Sequence, residues 1–396
     1  MPRARWSGVS SGASGSDAVA AGARLVGLDV ARALALLGMV ATHVIASRTP
    51  AGEESLAHVL ASGRASALFA VLAGVSVALL TGRRTPVRGS DRWRAVGGLA
   101  ARALLVALLG LWLGGLETGI AVILTYYGVL FLLGLPFVGL QARTLAVLAG
   151  VWLVVAPVLS HDVRPDLPER GYDSPTFADL ETPGLLLSEL LLTGYYPVLP
   201  WLAYLLAGMA VGRSDLGRRA VQVALLAGGA VLALAARGLS AALTADRFTT
   251  DSLDRARTEL AGTTPTNGSW EWLLVDAPHS GTPFDLAHTI GTALAVIGLC
   301  LLLVGLLPEV EARFVAVLFG AGTMTLSLYS LHLVMRTPAV WPPEDDAAFR
   351  VHVLVLATVG AAVVARGWRG PLELVVGLPG RLLRRNRSRA AYVGGT

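Results

Sequence analysis

With 54% of its 396 residues hydrophobic and only 15% charged, the chain lacks the polar surface that soluble domains of this length would have to present to water. Its net charge of +5 is carried by arginine clusters beside apolar runs, without interleaved aromatics, which excludes a nucleic-acid-binding protein. The single cysteine, Cys300, sits inside an apolar run and excludes both a disulfide framework and a cysteine-based metal site.

Residues 1–22 are rich in Ser, Gly and Ala without a hydrophobic period, and are expected to be a disordered tail. Apolar segments then follow at 25–46, 61–81, 95–114, 119–139, 142–160, 195–212, 220–243, 285–307, 315–335 and 351–366. Each is close to the ~20 residues needed to cross a bilayer core as a helix. The expected fold is therefore an all-α polytopic bundle of about ten transmembrane helices over 23–368, followed by a basic cytoplasmic tail, 369–396. The first segment carries Asp29 and Arg32 after a long polar lead, which argues against a cleaved signal peptide. The two long loops, 161–194 and 244–284, are acidic and rich in Pro and Gly. Within the first, 183–193 is apolar but too short to span, and reads as interfacial or re-entrant. All 32 basic residues are arginine. With a cytoplasmic N-terminus, twenty fall on inner segments and eight on outer loops, so the positive-inside rule predicts both termini in the cytoplasm of a multi-pass inner (plasma) membrane protein.

Ionisable groups within apolar spans are expensive and mark candidate sites. In the first helix Arg32 and His43 are eleven residues apart. On an α-helix that places them within about 20° of each other and roughly 16 Å apart along the axis. Asp29, one turn before Arg32, is placed to pair with it. The set reads as a polar track through the bundle, or as a structural Asp–Arg pair with an interfacial histidine. His288 opens the eighth span beside Thr289 and Thr292, and Thr325, Tyr329, His332 and Arg336 form one stripe in the ninth. His43, His288 and His332 share the outer half, each either catalytic or a packing residue. No carboxylate partners can be placed around them, so no metal is assigned. Arg102 lies two turns into the third span, after a loop holding Arg83, Arg84, Arg88, Arg92 and Arg94. These suit the phosphates of a bound donor, and equally the topology rule alone. Tyr195, Tyr196 and Trp201 of the YYPVLPW stretch are interfacial anchors or a stacking surface for a ligand.

The Arg-x10-His spacing is similar to that of membrane acyltransferase-3 proteins. More fully, RLVGLDVARALALLGMVATHV (24–44), GYYPVLPWLAYLLAGMAVGRSDL (194–216) and GTMTLSLYSLHL (322–333) resemble the heparan-alpha-glucosaminide N-acetyltransferase catalytic family and its bacterial YeiB-like relatives. The resemblance implies a membrane acyltransferase. It would move an acetyl or other short acyl group from cytoplasmic acyl-CoA to an extracytoplasmic glycan or glycolipid, with a histidine in the transfer step. The acyltransferase-3 pattern selects His43. The lysosomal pattern, whose histidine follows the first helix, selects His58. Asp29, Arg32 and Arg102 then hold the donor or the track, and Tyr195, Tyr196, Trp201 and Tyr329 line the acceptor's cleft. Acyl-CoA is a co-substrate and no permanently bound cofactor is implied. The partners are the lipid bilayer, acyl-CoA and a sugar or glycolipid, with a homodimer left open. Two rivals share the composition: a secondary transporter, although no pair of interrupted repeats is found, and a non-catalytic scaffold.

Overall fold

The computed structural model describes residues 15–168, 173–260, 262–265, 269–340 and 346–382, with the side chains of the first helix described from Val26 onward. Every regular element among them is helical. The principal helices are α1 (Gly15–Val44), α2 (Leu56–Ala61), α3 (Arg64–Leu80), α4 (Gly89–Gly114), α5 (Leu124–Gly134) and α6 (Ala142–Val163). They continue with α7 (Pro183–Ser188), α8 (Val198–Gly212), α9 (Arg219–Thr244), α10 (Thr250–Glu259) and α11 (Pro283–Leu306). The last are α12 (Glu309–Leu318), α13 (Thr325–Met335), α14 (Asp346–Ala365) and α15 (Pro371–Val376).

Seven helical segments are long and apolar enough to cross a membrane, and an eighth is a pair, Pro183–Thr193 and Val198–Gly212, bent by 53°. Two further apolar helices, Leu124–Gly139 and Thr325–Met335, are shorter. The expected segments are thus all helical, but three of them are short or broken. The ninth breaks because Gly320–Thr323, within the run Gly-Ala-Gly-Thr, tightens into a 3₁₀ turn between α12 and α13. The apolar stretch 183–193 does form helix, and Glu189 within it is buried, taking a hydrogen bond from the Tyr126 hydroxyl at 3.2 Å.

Two expected boundaries move. Helix α1 begins at Gly15, inside the stretch expected to be a tail, where alanines favour helix; residues 1–14 lie outside those described. The C-terminal stretch is not all tail either, because α15 docks against α4 and α13. The rest of that stretch, 383–396, lies outside the described residues.

Helix α3 packs along α8, α9 along α11, and α6 on α8, while α1 touches α3, α11, α14 and the break between α12 and α13. Helix α8 is apolar all round, and nearly every residue of it is buried. Helices α6 and α9, whose spanning windows are only 22% buried, turn Val151, Val154, Leu234 and Leu239 outward to lipid. Lipid gives no hydrophobic drive to helix pairing, so close approach must come from small residues. A Cβ added to Gly208 of α8 would lie 1.9 Å from the Val71 carbonyl oxygen of α3, and one on Gly322 would lie 1.8 Å from that of Asp29.

The bundle has two chemically distinct ends. One carries the arginine-rich turns at 82–88 and 213–219 and the α15 segment. Here Arg213 is buried and donates to the carbonyls of Ala78, Thr81, Arg83 and Val138 at 2.5–3.0 Å, tying three elements together. The other end carries the histidines.

Candidate functional site

At the basic end a cavity of about 760 Å³ opens between α4, the turn before it, the α12–α13 break and the α14–α15 segment. Arg94, Arg102, Arg369 and Arg381 line it, with the exposed ring of Trp368 and the carboxylate of Glu373. The volume is that of an ordinary cofactor site. Its four guanidiniums stand beside the carboxylates of Asp91 and Glu373, and guanidinium forks are groups that can grip phosphates in bidentate fashion. Arg102, expected from the sequence to bind the donor together with Arg32, lines this cavity. Asp29 and Arg32 do not. They pair with each other at 2.5 Å, and Arg32 donates also to Ser76 Oγ at 3.0 Å, in the adjoining wall. The charges of Arg32 and Glu373 both reach Arg102.

Helix α1 leads from that wall to the opposite end, where His43 meets His332 of α13. His43 Nδ1 is 3.1 Å from His332 Nε2, and the rings stack with centroids 5.3 Å apart and planes 8° from parallel. One nitrogen of the pair must carry the proton. When it is His43 Nδ1, the Nε2 of His43 presents a lone pair. His332 is fully buried, and its Nδ1 has no hydrogen-bond partner among the described residues. His352 of α14 stands edge-on to His332, 5.0 Å between centroids and 75° between planes, and donates from Nδ1 to the Ala348 carbonyl at 2.9 Å. Thr323, on the wall of the basic cavity, is nine residues before His332. Helix α13 starts two residues after Thr323 and rises about 10 Å from Thr325 to His332, so it leads from the cavity wall to the histidine.

His58, the rival histidine, sits on α2 at the same end, half-buried, with Ser55 Oγ 3.2 Å from its Nδ1. His58 and His279 both lie close enough to act on His43. His279 belongs to the loop before α11 and has a left-handed backbone, φ +58°, unusual for a residue with a Cβ. Burial, with His58 as the second cause, pushes it down to about 4, so it is neutral near neutral pH.

The YYPVLPW stretch folds into an aromatic block. Tyr196 meets Trp201 at 5.2 Å and Tyr126 at 5.6 Å, both edge-on. Tyr195 lies 5.0 Å from the His279 ring. Tyr196 and Trp201 are buried by protein, leaving half-buried Tyr195 as the part of the motif that faces outward. Tyr329 is buried too, its hydroxyl accepting from the Ile123 N–H at 3.4 Å.

His288 has a partner of its own in Asp276. Its Nδ1 lies 2.7 and 2.9 Å from the two carboxylate oxygens of Asp276. The sequence pattern singles out His43, His58, His288, His332 and Arg102 as candidates. It assigns nothing to Asp276, His279, His352 or Glu373. Their sequence separations from the sites carry no helical period, and only tertiary packing joins them.

The catalytic family model of heparan-alpha-glucosaminide N-acetyltransferase matches residues 24–241, more than half of the chain. That region contains His43, His58, Arg102 and the YYPVLPW block, while His288, Tyr329 and His332 lie beyond it. No curated protein matches the chain.

Proposed function

Because the chain belongs to the heparan-alpha-glucosaminide N-acetyltransferase catalytic family of membrane acetyltransferases, we propose that it carries a short acyl group, acetyl above all, from a coenzyme A thioester to a sugar or glycolipid. The observation that carries this reading is the His43–His332 contact, one helix length from an arginine-lined cavity. The donor's phosphates lie against Arg94, Arg102, Arg369 and Arg381, and the adenine has the Trp368 face to stack on. Its thin pantetheine arm then runs along α1 and α13 and brings the thioester toward His43. Asp29 and Arg32 position the wall through which it passes.

At the histidine end an acceptor N–H or O–H gives up its proton as its electron pair bonds to the carbonyl carbon. The C–S bond breaks and the thiolate leaves. His43 Nε2 either assists this attack or takes the acyl group first as an acyl-imidazole. The basic end faces the cytoplasm, where acyl-CoA is made, and the histidine end faces away from it. His58 lies on a short helix with the Ser55 hydroxyl 3.2 Å from its Nδ1 and is the reserve for the same role.

Purified protein incubated with labelled acetyl-CoA and an amino sugar tests the reading. His43→Ala should lower transfer by about 10²–10⁴-fold, the worth of a positioned acid–base group, and His58→Ala by far less. A wild-type protein that consumes no short-chain acyl-CoA would overturn it.

A further inference from the structure

The transfer pair His43–His332 has a deficiency as a proton acceptor. Neither ring touches a carboxylate among the described residues, and the charged group bearing most strongly on His43 is the cation Arg336. An imidazolium formed there has no counter-charge in a water-poor setting. Yet each acyl transfer to an amine or hydroxyl releases a proton that must be taken by something.

A better acceptor lies at the same depth. Helices α1 and α11 are neighbours, and Gly27 lies against Leu301, where an added Cβ would be 2.9 Å from the Leu301 Cα. His279, four residues before α11, acts on His43, whereas Gly27 meets α11 near its far end, so the two helices run in opposite directions and His43 lies toward the first turns of α11, which hold Asp285 and His288. There Asp276 fixes His288 through Nδ1, with both side chains only 9% exposed. The carboxylate oxygens accept, so Nδ1 carries the hydrogen and Nε2 has the free electron pair. The same arrangement holds the base of a Ser-His-Asp triad in one tautomer and stabilises the imidazolium that forms.

This dyad borders a pocket of about 60 Å³, large enough for one small functional group. The other ionisable groups facing it are Glu54, Arg64, Arg237, Arg257 and Asp285. The pocket also meets Ser62, in the turn that follows His58, and Pro278, next to His279. The loop carrying Asp276 and His279 therefore has one residue in each site.

We propose that Asp276 and His288 form the base that deprotonates the acceptor, and that the pocket beside them seats its nucleophilic amine or hydroxyl. This rests on the acyl-transfer reading and divides its labour. His43 attends to the acyl group and His288 to the acceptor's proton. The acceptor's N–H or O–H bond breaks toward His288 Nε2, the freed electron pair bonds to the acyl carbon, and the bond from that carbon to its leaving sulfur or imidazole nitrogen breaks. Asp276 neutralises the new imidazolium until the proton leaves by the pocket mouth.

The test compares two nucleophiles in purified full-length protein. Glucosamine is largely an ammonium at neutral pH and needs a base. Hydroxylamine is neutral and intrinsically reactive, and needs little help. With labelled acetyl-CoA as donor, His288→Gln and Asp276→Asn should cut transfer to glucosamine by about 10²-fold or more, while transfer to hydroxylamine falls far less. Equal losses with both nucleophiles, or no loss with glucosamine, overturn the assignment. Wild-type protein inactive toward both sinks the acyl-transfer reading itself, and this division of labour with it.

Discussion

The Ser327 hydroxyl donates to the Glu373 carboxylate at 2.5 Å, and the backbone N–H groups of Leu326 and Ser327 reach the same carboxylate at 2.8 and 3.1 Å. Glu373 of α15 thereby serves as the missing cap of α13, whose first turn leaves N–H groups without helical partners. The negative charge also sits at the positive end of the helix dipole. The capped helix is the one that bears Tyr329 and His332. Gly370 is required next to it, because a Cβ there would be 2.0 Å from Glu373 Oε2.

Glu373→Ala should therefore destabilise the protein by about 1–3 kcal/mol, the worth of hydrogen bonds to a charged group. It should also raise amide exchange in the first turn of α13. Glu373→Gln, which still accepts a hydrogen bond, should recover part of both. Thermal unfolding and hydrogen exchange on the detergent-solubilised protein check this. Unchanged exchange at 325–328 in the alanine variant would show that the cap contributes nothing.

His279 gives the protein an acid sensitivity of predictable sign. Its folded value is lowered to about 4 by burial and by His58, while a free histidine titrates near 6.5. As pH falls below about 6.5 the unfolded chain binds a proton that the folded chain refuses, so stability drops progressively until pH approaches 4. His279→Gln removes the titrating group. Melting temperatures measured from pH 7 to pH 4 should fall less steeply in that variant than in the wild type, and parallel curves would remove His279 from the account.

The helical bundle was legible because lipid forces the sequence to advertise it. A spanning helix needs an apolar run of fixed length, and every such run is a helix here. Within one helix the reading also succeeded, since Asp29 and Arg32 are three residues apart and bond as the α-helical repeat requires. Sites built across helices were harder. His43 and His332 are 289 residues apart and meet only because α1 and α13 pack at that height. The direct contact was not legible, although both had been placed in the same half of the membrane. Asp276 was missed because a loop residue twelve positions from His288 follows no period. Aromatic residues misled in the other direction, because Tyr196 and Trp201 pack on Tyr126 and Tyr127 as a core rather than facing a ligand. Composition alone does not distinguish the two uses.

The seam between α3 and α8 should tolerate no side chain at its closest points. Gly208 lies so near Val71 that an added Cβ would be 1.9 Å from its carbonyl oxygen, and Gly74 faces the Leu205 carbonyl at 2.2 Å in the same way. Backbone cannot yield as a flexible side chain does, so Gly208→Ala must push the two helices apart. A loss of about 1–3 kcal/mol is expected from such overpacking. Gly228, with nothing near its Cβ position, is the control, and Gly228→Ala should leave the melting temperature within a degree or two or raise it slightly, since alanine is the better helix former. Equal melting temperatures for the two variants would mean that the seam is looser than these distances require.

Orientation is open to direct measurement. The arginine bias predicts that the basic end is cytoplasmic and the histidine end outside, and the proposed donor and acceptor sites need that arrangement. Ser90 at the basic end and Ser47 at the histidine end are both exposed, and the native Cys300 is buried and should not react. A membrane-impermeant maleimide applied to intact cells should therefore label Ser47→Cys and leave Ser90→Cys unlabelled until the cells are opened. The reverse pattern would turn the bundle over. The arginine-lined cavity would then face away from the cytoplasmic pool of acyl-CoA, and the donor would have to be something else.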